Sequence, residues 1–184
     1  GEMYKKKPFF IVFEGVEGCG KSYQSKKLFN KLKKNKIDTI LTREPGGTKS
    51  SELIRNLILK DYFSKNTKEK FDKYTDTLLY LAARNEHIIN KIKPALEKKK
   101  VVICDRFIDS TLAYQVYGKN VDINFINNIH KKILGNLKPN IVFILKVSEK
   151  SSRARLKKRR TKNRYANFEQ SFYAKAQKSF IKIA

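Results

Sequence analysis

Cysteine is scarce. Only Cys19 and Cys104 occur, far apart and in no metal-ligand spacing. That excludes a disulfide framework and a zinc module, and it reads as two reduced thiols of a cytoplasmic protein. Eight glycines and four prolines exclude collagen-like and proline-rich architectures. No apolar run approaches the ~18–20 residues that a membrane-spanning helix needs. The opening residues, Gly1 to Lys7, lead into no signal-peptide cleavage pattern. Acidic residues are few: 17 Asp and Glu face 42 Lys and Arg, a net charge of +25. Such a balance attracts anions, namely nucleotides, phosphates, nucleic acid or an acidic surface. Scattered lysines on solvated faces give the same total with nothing bound.

What is present suffices for a core. The chain is 40% apolar and 11% aromatic over 184 residues, which argues against a disordered chain and fits one domain spanning 1–184. Short apolar runs alternate with helical patterns. Phe9 to Phe13, Thr39 to Thr42, Val101 to Cys104 and Ile141 to Leu145 read as strands. Helices are expected over about Lys21 to Lys34 (stripe Leu28, Phe29, Leu32), from a Ser50 or Ser51 cap through Leu53, Ile54, Leu57 and Ile58, and over about Thr75 to Lys91, extending past Pro94. Others follow over Leu112 to Tyr114, Ile123 to Leu134, Glu149 to Arg160 and Glu169 to Ile183, and the stretch Asp61 to Tyr74 reads as loop or frayed helix. Strands apolar on both faces, alternating with helices, predict an α/β fold with a parallel sheet flanked by helices. Ligands of such sheets bind at the carboxyl ends of the strands.

The chemistry-bearing residues fall at those ends. Gly15-Val16-Glu17-Gly18-Cys19-Gly20-Lys21-Ser22 fits G-x-x-x-x-G-K-[ST] between a strand and a helix. Its backbone N–H groups and the helix N-terminus cradle phosphates, Lys21 reaches β- and γ-oxygens, and the Ser22 hydroxyl suits Mg²⁺. Cys19 reads as a small filler of the loop, not a nucleophile. Asp105 ends the third strand, either facing Mg²⁺ through water or capping a helix. Arg106 beside it is a fork suited to phosphate or to a structural ion pair. These motifs alone specify a P-loop phosphotransferase or NTPase.

Five further segments occur in order: Thr42-Arg43-Glu44-Pro45-Gly46-Gly47-Thr48, Ala82-Ala83-Arg84, Asp105-Arg106-Phe107, Ser110-Thr111-Leu112-Ala113-Tyr114-Gln115, and an Arg-rich stretch from Arg153 to Arg164. With the P-loop they resemble the bacterial thymidylate kinases from Phe9 to the last residue. The resemblance implies a nucleoside monophosphate kinase fold. It also implies transfer of the γ-phosphate of ATP to dTMP with Mg²⁺, giving dTDP and ADP for dTTP synthesis. On that resemblance Gly15 to Ser22 hold ATP, and Ser22 and Asp105 hold the metal. Lys21, Arg106, Glu17 and Arg153 are the catalytic group, with Arg159, Arg160 and Arg164 as rivals for the lid arginine. The dTMP site is implied to be Glu17, Glu44, Pro45, Arg55, Tyr80, Arg84, Arg106, Thr111, Tyr114 and Gln115. In it Arg55 and Arg106 hold the phosphate, Tyr80 stacks on the base, and Arg84 donates to thymine O4. Thr111 and Gln115 face the pyrimidine edge, and Tyr114 crowds the sugar C2′. Arg43 shapes the same wall.

Further implications are a lid over about 150–166, a cytoplasmic homodimer, and no membrane or nucleic-acid partner. Asn140, Lys146 and Ala166 stand where the family commonly has acids, and the family's last strand and helix are absent from the chain. His87 and His130 read as ordinary helix residues.

Overall fold

The computed structural model describes residues 6–60, 63, 68–146 and 170–184. Four strands, β1 (Phe9–Glu14), β2 (Thr39–Arg43), β3 (Val101–Asp105) and β4 (Ile141–Ile144), form one parallel sheet in the order β2-β3-β1-β4. The parallel α/β fold read from the alternation is the one observed.

Side chains alternate across the pleat and so build two cores. Phe10, Val12, Val102 and Cys104 point to one face with Ile88, Ile92, Phe107 and Leu134. Ile11, Phe13, Val101 and Ile103 point to the other, against Leu28, Phe29 and Leu32 of α1 (Lys21–Lys34). Each fully buried Phe or Ile contributes about 1.5–3 kcal/mol. β4 departs from the expectation of two buried faces. Among the described residues it is a sheet edge, and Ile141, Val142 and Phe143 are all exposed. Asn140 starts this strand with a purpose of its own: its Oδ1 accepts from Phe10 N at 2.7 Å while its N–H donates to Phe10 O.

The helices also correct details of the sequence reading. α2 (Lys49–Leu59) is capped by Thr48, not by Ser50 or Ser51, in a reciprocal box with Ser51. Only Ile58 of its apolar stripe is buried, while Leu53 and Leu57 are exposed. α3 (Lys73–His87) starts earlier than expected, because Asp72 accepts from Tyr74 N. It runs on through a π-helical stretch, Ile88–Ile92, into α4 (Lys93–Glu97). The wider turn falls immediately before Pro94, which lacks the N–H a regular helix requires. α5 (Ile108–Thr111) leads into a second π stretch, Leu112–Tyr117. α6 (Ile123–Leu134) is capped by Asp122 and ends at Gly135, as read, and α7 (Gln170–Ile183) ends the chain. The helix expected over Glu149 to Arg160 lies outside the described residues.

This topology places the site. From β1 the chain crosses one way to β2, and from β3 it crosses the other way to β4. The crevice between the carboxyl ends of β1 and β3 is therefore the switch point where such sheets bind ligands. Backbone bonds extend the ladder past the strands: Arg106 N to Phe13 O, Glu44 N to Asp105 O, and Leu145 N to Glu14 O, all at 2.8–2.9 Å. Three motif-bearing loops are thereby fixed side by side.

Candidate active site

The P-loop leaves β1 at Glu14 and turns back into α1. Gly15, Gly18 and Gly20 all have positive φ, which brings backbone N–H groups inward at no steric cost. Gly15 also has no room for a side chain, since an added Cβ would lie 2.7 Å from Leu145 O and 2.8 Å from Cys19 Sγ. Cys19 is buried with Val16, Ala113, Ala176 and Phe180, the filler role its small side chain suggested. Lys21 is buried as well. Burial and then the neighbouring Arg106 guanidinium push its ammonium below the usual lysine range, against the pull of Asp105.

Asp105 does not cap a helix. Its Oδ2 accepts from Ser22 Oγ at 3.0 Å, so the two oxygens named for the metal share one spot. A cleft of about 950 Å³ opens beside them, with Thr42, Arg43, Thr48 and Glu52 on its wall.

Arg106 has φ +73, which turns its side chain back over the P-loop. Nη2 donates to Glu17 Oε1 at 2.9 Å, and Nη1 donates to Ser110 Oγ at 3.0 Å. The guanidinium also lies 5.2 Å from the Tyr114 ring centre. Ser110 in turn gives both its N–H and its hydroxyl to the Glu14 carboxylate, at 3.0 and 2.6 Å. Glu14 is wholly buried, and burial raises its carboxyl to about 7. A second row of residues, Glu14 and Ser110, thus supports the arginine from behind.

On the other side, Arg55 Nη1 donates to Pro45 O at 2.6 Å. Arg55 also feels the charges of Glu17 and Tyr80, which puts those three expected residues in one neighbourhood. Arg43 pairs with Glu52 at 3.4 Å in the exposed wall.

Arg84 lies deeper than its expected role suggests, with a side chain 3% exposed. Its Nε donates to Glu44 Oε1 at 2.7 Å. Nη1 donates to Thr111 Oγ1 and to His130 Nε2, both at 2.8 Å, and Nη2 donates to Phe107 O at 2.8 Å. The other Glu44 oxygen accepts from His87 Nδ1 at 2.7 Å, and His87 Nε2 lies 2.6 Å from Thr42 Oγ1. Burial alone would raise the Glu44 carboxyl, but Arg84 and His87 outweigh it and hold it below the usual carboxylate range. Burial, and then Arg84, push His130 down to about 3, so its ring is neutral and Nε2 accepts. Gly47 (φ +99) completes the enclosure, because an added Cβ would lie 2.5 Å from the His87 ring. Gln115 is also buried, and its Oε1 accepts from Thr77 Oγ1 at 3.2 Å. Tyr114 is edge-on to Phe180 at 5.8 Å, and burial raises its hydroxyl to about 12.

The P-loop, Asp105, Arg106 and Glu17 therefore gather around the β1/β3 crevice, with Arg55 held against Pro45 nearby. Glu44, Arg84 and Thr111 form the buried cluster beside it. Arg153, Arg159, Arg160 and Arg164 lie outside the described residues. Sequence reading missed Glu14, Ser110, His87 and His130 as site-supporting residues. His87 is one helical turn from Arg84, a spacing that could have flagged it. Glu14 was also visible as an acid closing an apolar strand. Nothing local marks His130, which lies 46 positions from its partner.

Comparison with known proteins agrees with this fold. A family model described as thymidylate kinase matches residues 13–184. A thymidylate kinase of Wolbachia pipientis wMel is 42% identical over 178 residues, covering 95% of this chain and 84% of that protein. One from Aster yellows witches'-broom phytoplasma is 42% identical over 176 residues, covering 95% of this chain and 82% of that protein. The crystal structure of thymidylate kinase from Ehrlichia chaffeensis superposes with a TM-score of 0.74 at 35% identity, covering 97% of this chain and 87% of that one. The family model, the relatives and the shared fold together show that the chain belongs to the thymidylate kinase family.

Proposed function

We infer that this protein, an ATP-dependent kinase of dTMP, divides the labour of the reaction among the residues gathered at the β1/β3 crevice. The acceptor is a phosphate oxygen, already anionic near neutral pH, so little general-base help is needed. The obstacle is repulsion between two polyanions, and fixed cations with in-line positioning are the remedy. Gly15 to Ser22 bind the phosphates of ATP, with Lys21 as the donor-side cation. Arg106 and Arg55 bind the dTMP phosphate, and Glu17 orients Arg106.

Ser22 and Asp105 offer a hydroxyl and a carboxylate within one hydrogen bond of each other, a hard-oxygen set that suits Mg²⁺. When bound there, the ion would neutralise charge on the phosphates of ATP. Tyr80 faces the base, Arg84 with Thr111 and Gln115 sets its edge, and Tyr114 lies on the sugar side. Glu44 and Pro45 shape the wall. Arg153 supplies the lid cation over about 150–166. The observation that carries this reading is the meeting of Arg106 and Glu17 over the glycine cradle.

One domain works as a cytoplasmic homodimer. Exposed Leu53 and Leu57 on α2 and Leu78 on α3 support that assembly, and light scattering gives its mass. No helix among the described residues is long and apolar enough to cross a membrane. An ADP-release assay with dTMP, dUMP, dCMP and dGMP tests the substrate. Turnover with dTMP far above the other three is expected, and background-level turnover with dTMP would end the reading.

A further inference from the structure

We propose that His130 is a positioning residue for pyrimidine recognition: from α6 it accepts a hydrogen bond from Arg84 Nη1 and so holds the guanidinium that meets the base. The inference rests on the base-facing role of Arg84 given above.

A guanidinium is planar and carries its five N–H groups in a rigid fork. Four of those groups are committed in this structure, to Glu44, Thr111, His130 and the Phe107 carbonyl. Fixing them fixes the direction of the fifth, the second hydrogen of Nη2. Both Nη1 hydrogens are held from the same end of the fork, one by Thr111 and one by His130. Thr111 carries a hydroxyl that rotates and can donate as well as accept. His130 is held differently. It is buried on α6, a helix that contributes no other residue to the site, and its ring is neutral, so its Nε2 is a fixed acceptor. Glu44 neutralises the guanidinium from Nε, and His130 adds direction without adding charge. A protonated ring at 2.8 Å would instead repel Arg84, which is why burial that keeps His130 neutral belongs to the arrangement.

The test compares His130→Gln, His130→Asn, His130→Leu and Arg84→Ala in the whole chain. Steady-state kinetics are read with dTMP and dCMP as acceptors, alongside thermal melts. Glutamine can present an oxygen near the position of Nε2, whereas asparagine is one methylene too short. The proposal expects Asn and Leu to lower the dTMP/dCMP ratio of kcat/KM about tenfold, mainly through KM for dTMP, the size of a lost hydrogen bond to a charged group. Gln should recover most of that ratio, and a purely packing role for His130 would lower the melting temperature of the Asn and Leu variants while leaving the ratio within twofold of wild type. Should Leu fail to fold, the Gln and Asn pair decides alone. Discrimination within twofold of wild type in the Asn variant, while Arg84→Ala loses it, overturns the His130 inference and leaves the Arg84 reading intact. Unchanged discrimination in Arg84→Ala overturns both.

Discussion

Arg106 and Glu17 meet at 2.9 Å although 89 positions separate them in the chain. β3, which ends just before Arg106, has to lie beside β1 for this to happen, so the contact is a product of the sheet order. The Glu17 carboxylate holds the guanidinium over the glycine loop. On the role proposed for it, replacing Arg106 by Ala removes a cation from the reacting phosphates. We expect kcat to fall by about 10³-fold, with the circular dichroism spectrum unchanged. Rates like wild type in the folded variant would remove Arg106 from the mechanism.

Glu14 carries a pH signature. Its folded-state value is raised to about 7, mainly by burial, from an ordinary value of 4.5. A group raised in this way contributes stability that is complete below about 4.5 and is lost as pH rises through about 7. Glu14→Gln abolishes that dependence. Relative to the Gln variant, wild type should lose about 3 kcal/mol of unfolding free energy between pH 4.5 and pH 8. Urea titrations of both proteins at the two pH values measure it, and parallel pH profiles would refute it.

Asp105 Oδ2 and Ser22 Oγ share a hydrogen bond at 3.0 Å, and both are proposed to face Mg²⁺. Asp105→Asn keeps the shape and removes the charge. The Mg²⁺ concentration for half-maximal activity should rise about 10–100-fold, while the melting temperature stays within a few degrees. An unchanged Mg²⁺ requirement would assign Asp105 a structural part only.

Gly47 stands against the His87 ring and Thr42 with φ +99. Gly47→Ala needs both an unfavourable backbone and space that is already filled. A loss of about 2–4 kcal/mol of stability is expected, read from chemical denaturation. A variant as stable as wild type would mean that the Glu44 cluster yields easily.

The strands were legible because a parallel sheet writes its inner strands as short apolar runs, and Phe9 to Phe13 and Val101 to Cys104 are such runs. The P-loop was legible because its glycines and lysine must be contiguous. β4 misled, since an edge strand carries the same apolar letters as an inner one. The cap of α2 was missed because Thr48, Ser50 and Ser51 are equally good capping types, and only the loop geometry selects Thr48. Arg84 was visible as a motif residue, but its depth was not. The partners that hold it come from the turn after β2, from α5 and from α6. No local pattern announces a contact between helices that are distant in sequence.

The enclosed polar cluster has an engineering consequence. Glu44, His87, Arg84, Thr111 and His130 answer one another's donors and acceptors, so a single replacement leaves a neighbour wanting. Retooling this enzyme for a different nucleobase is therefore a matter of exchanging matched sets. Libraries that vary one position at a time would return mostly weakened proteins rather than altered preferences.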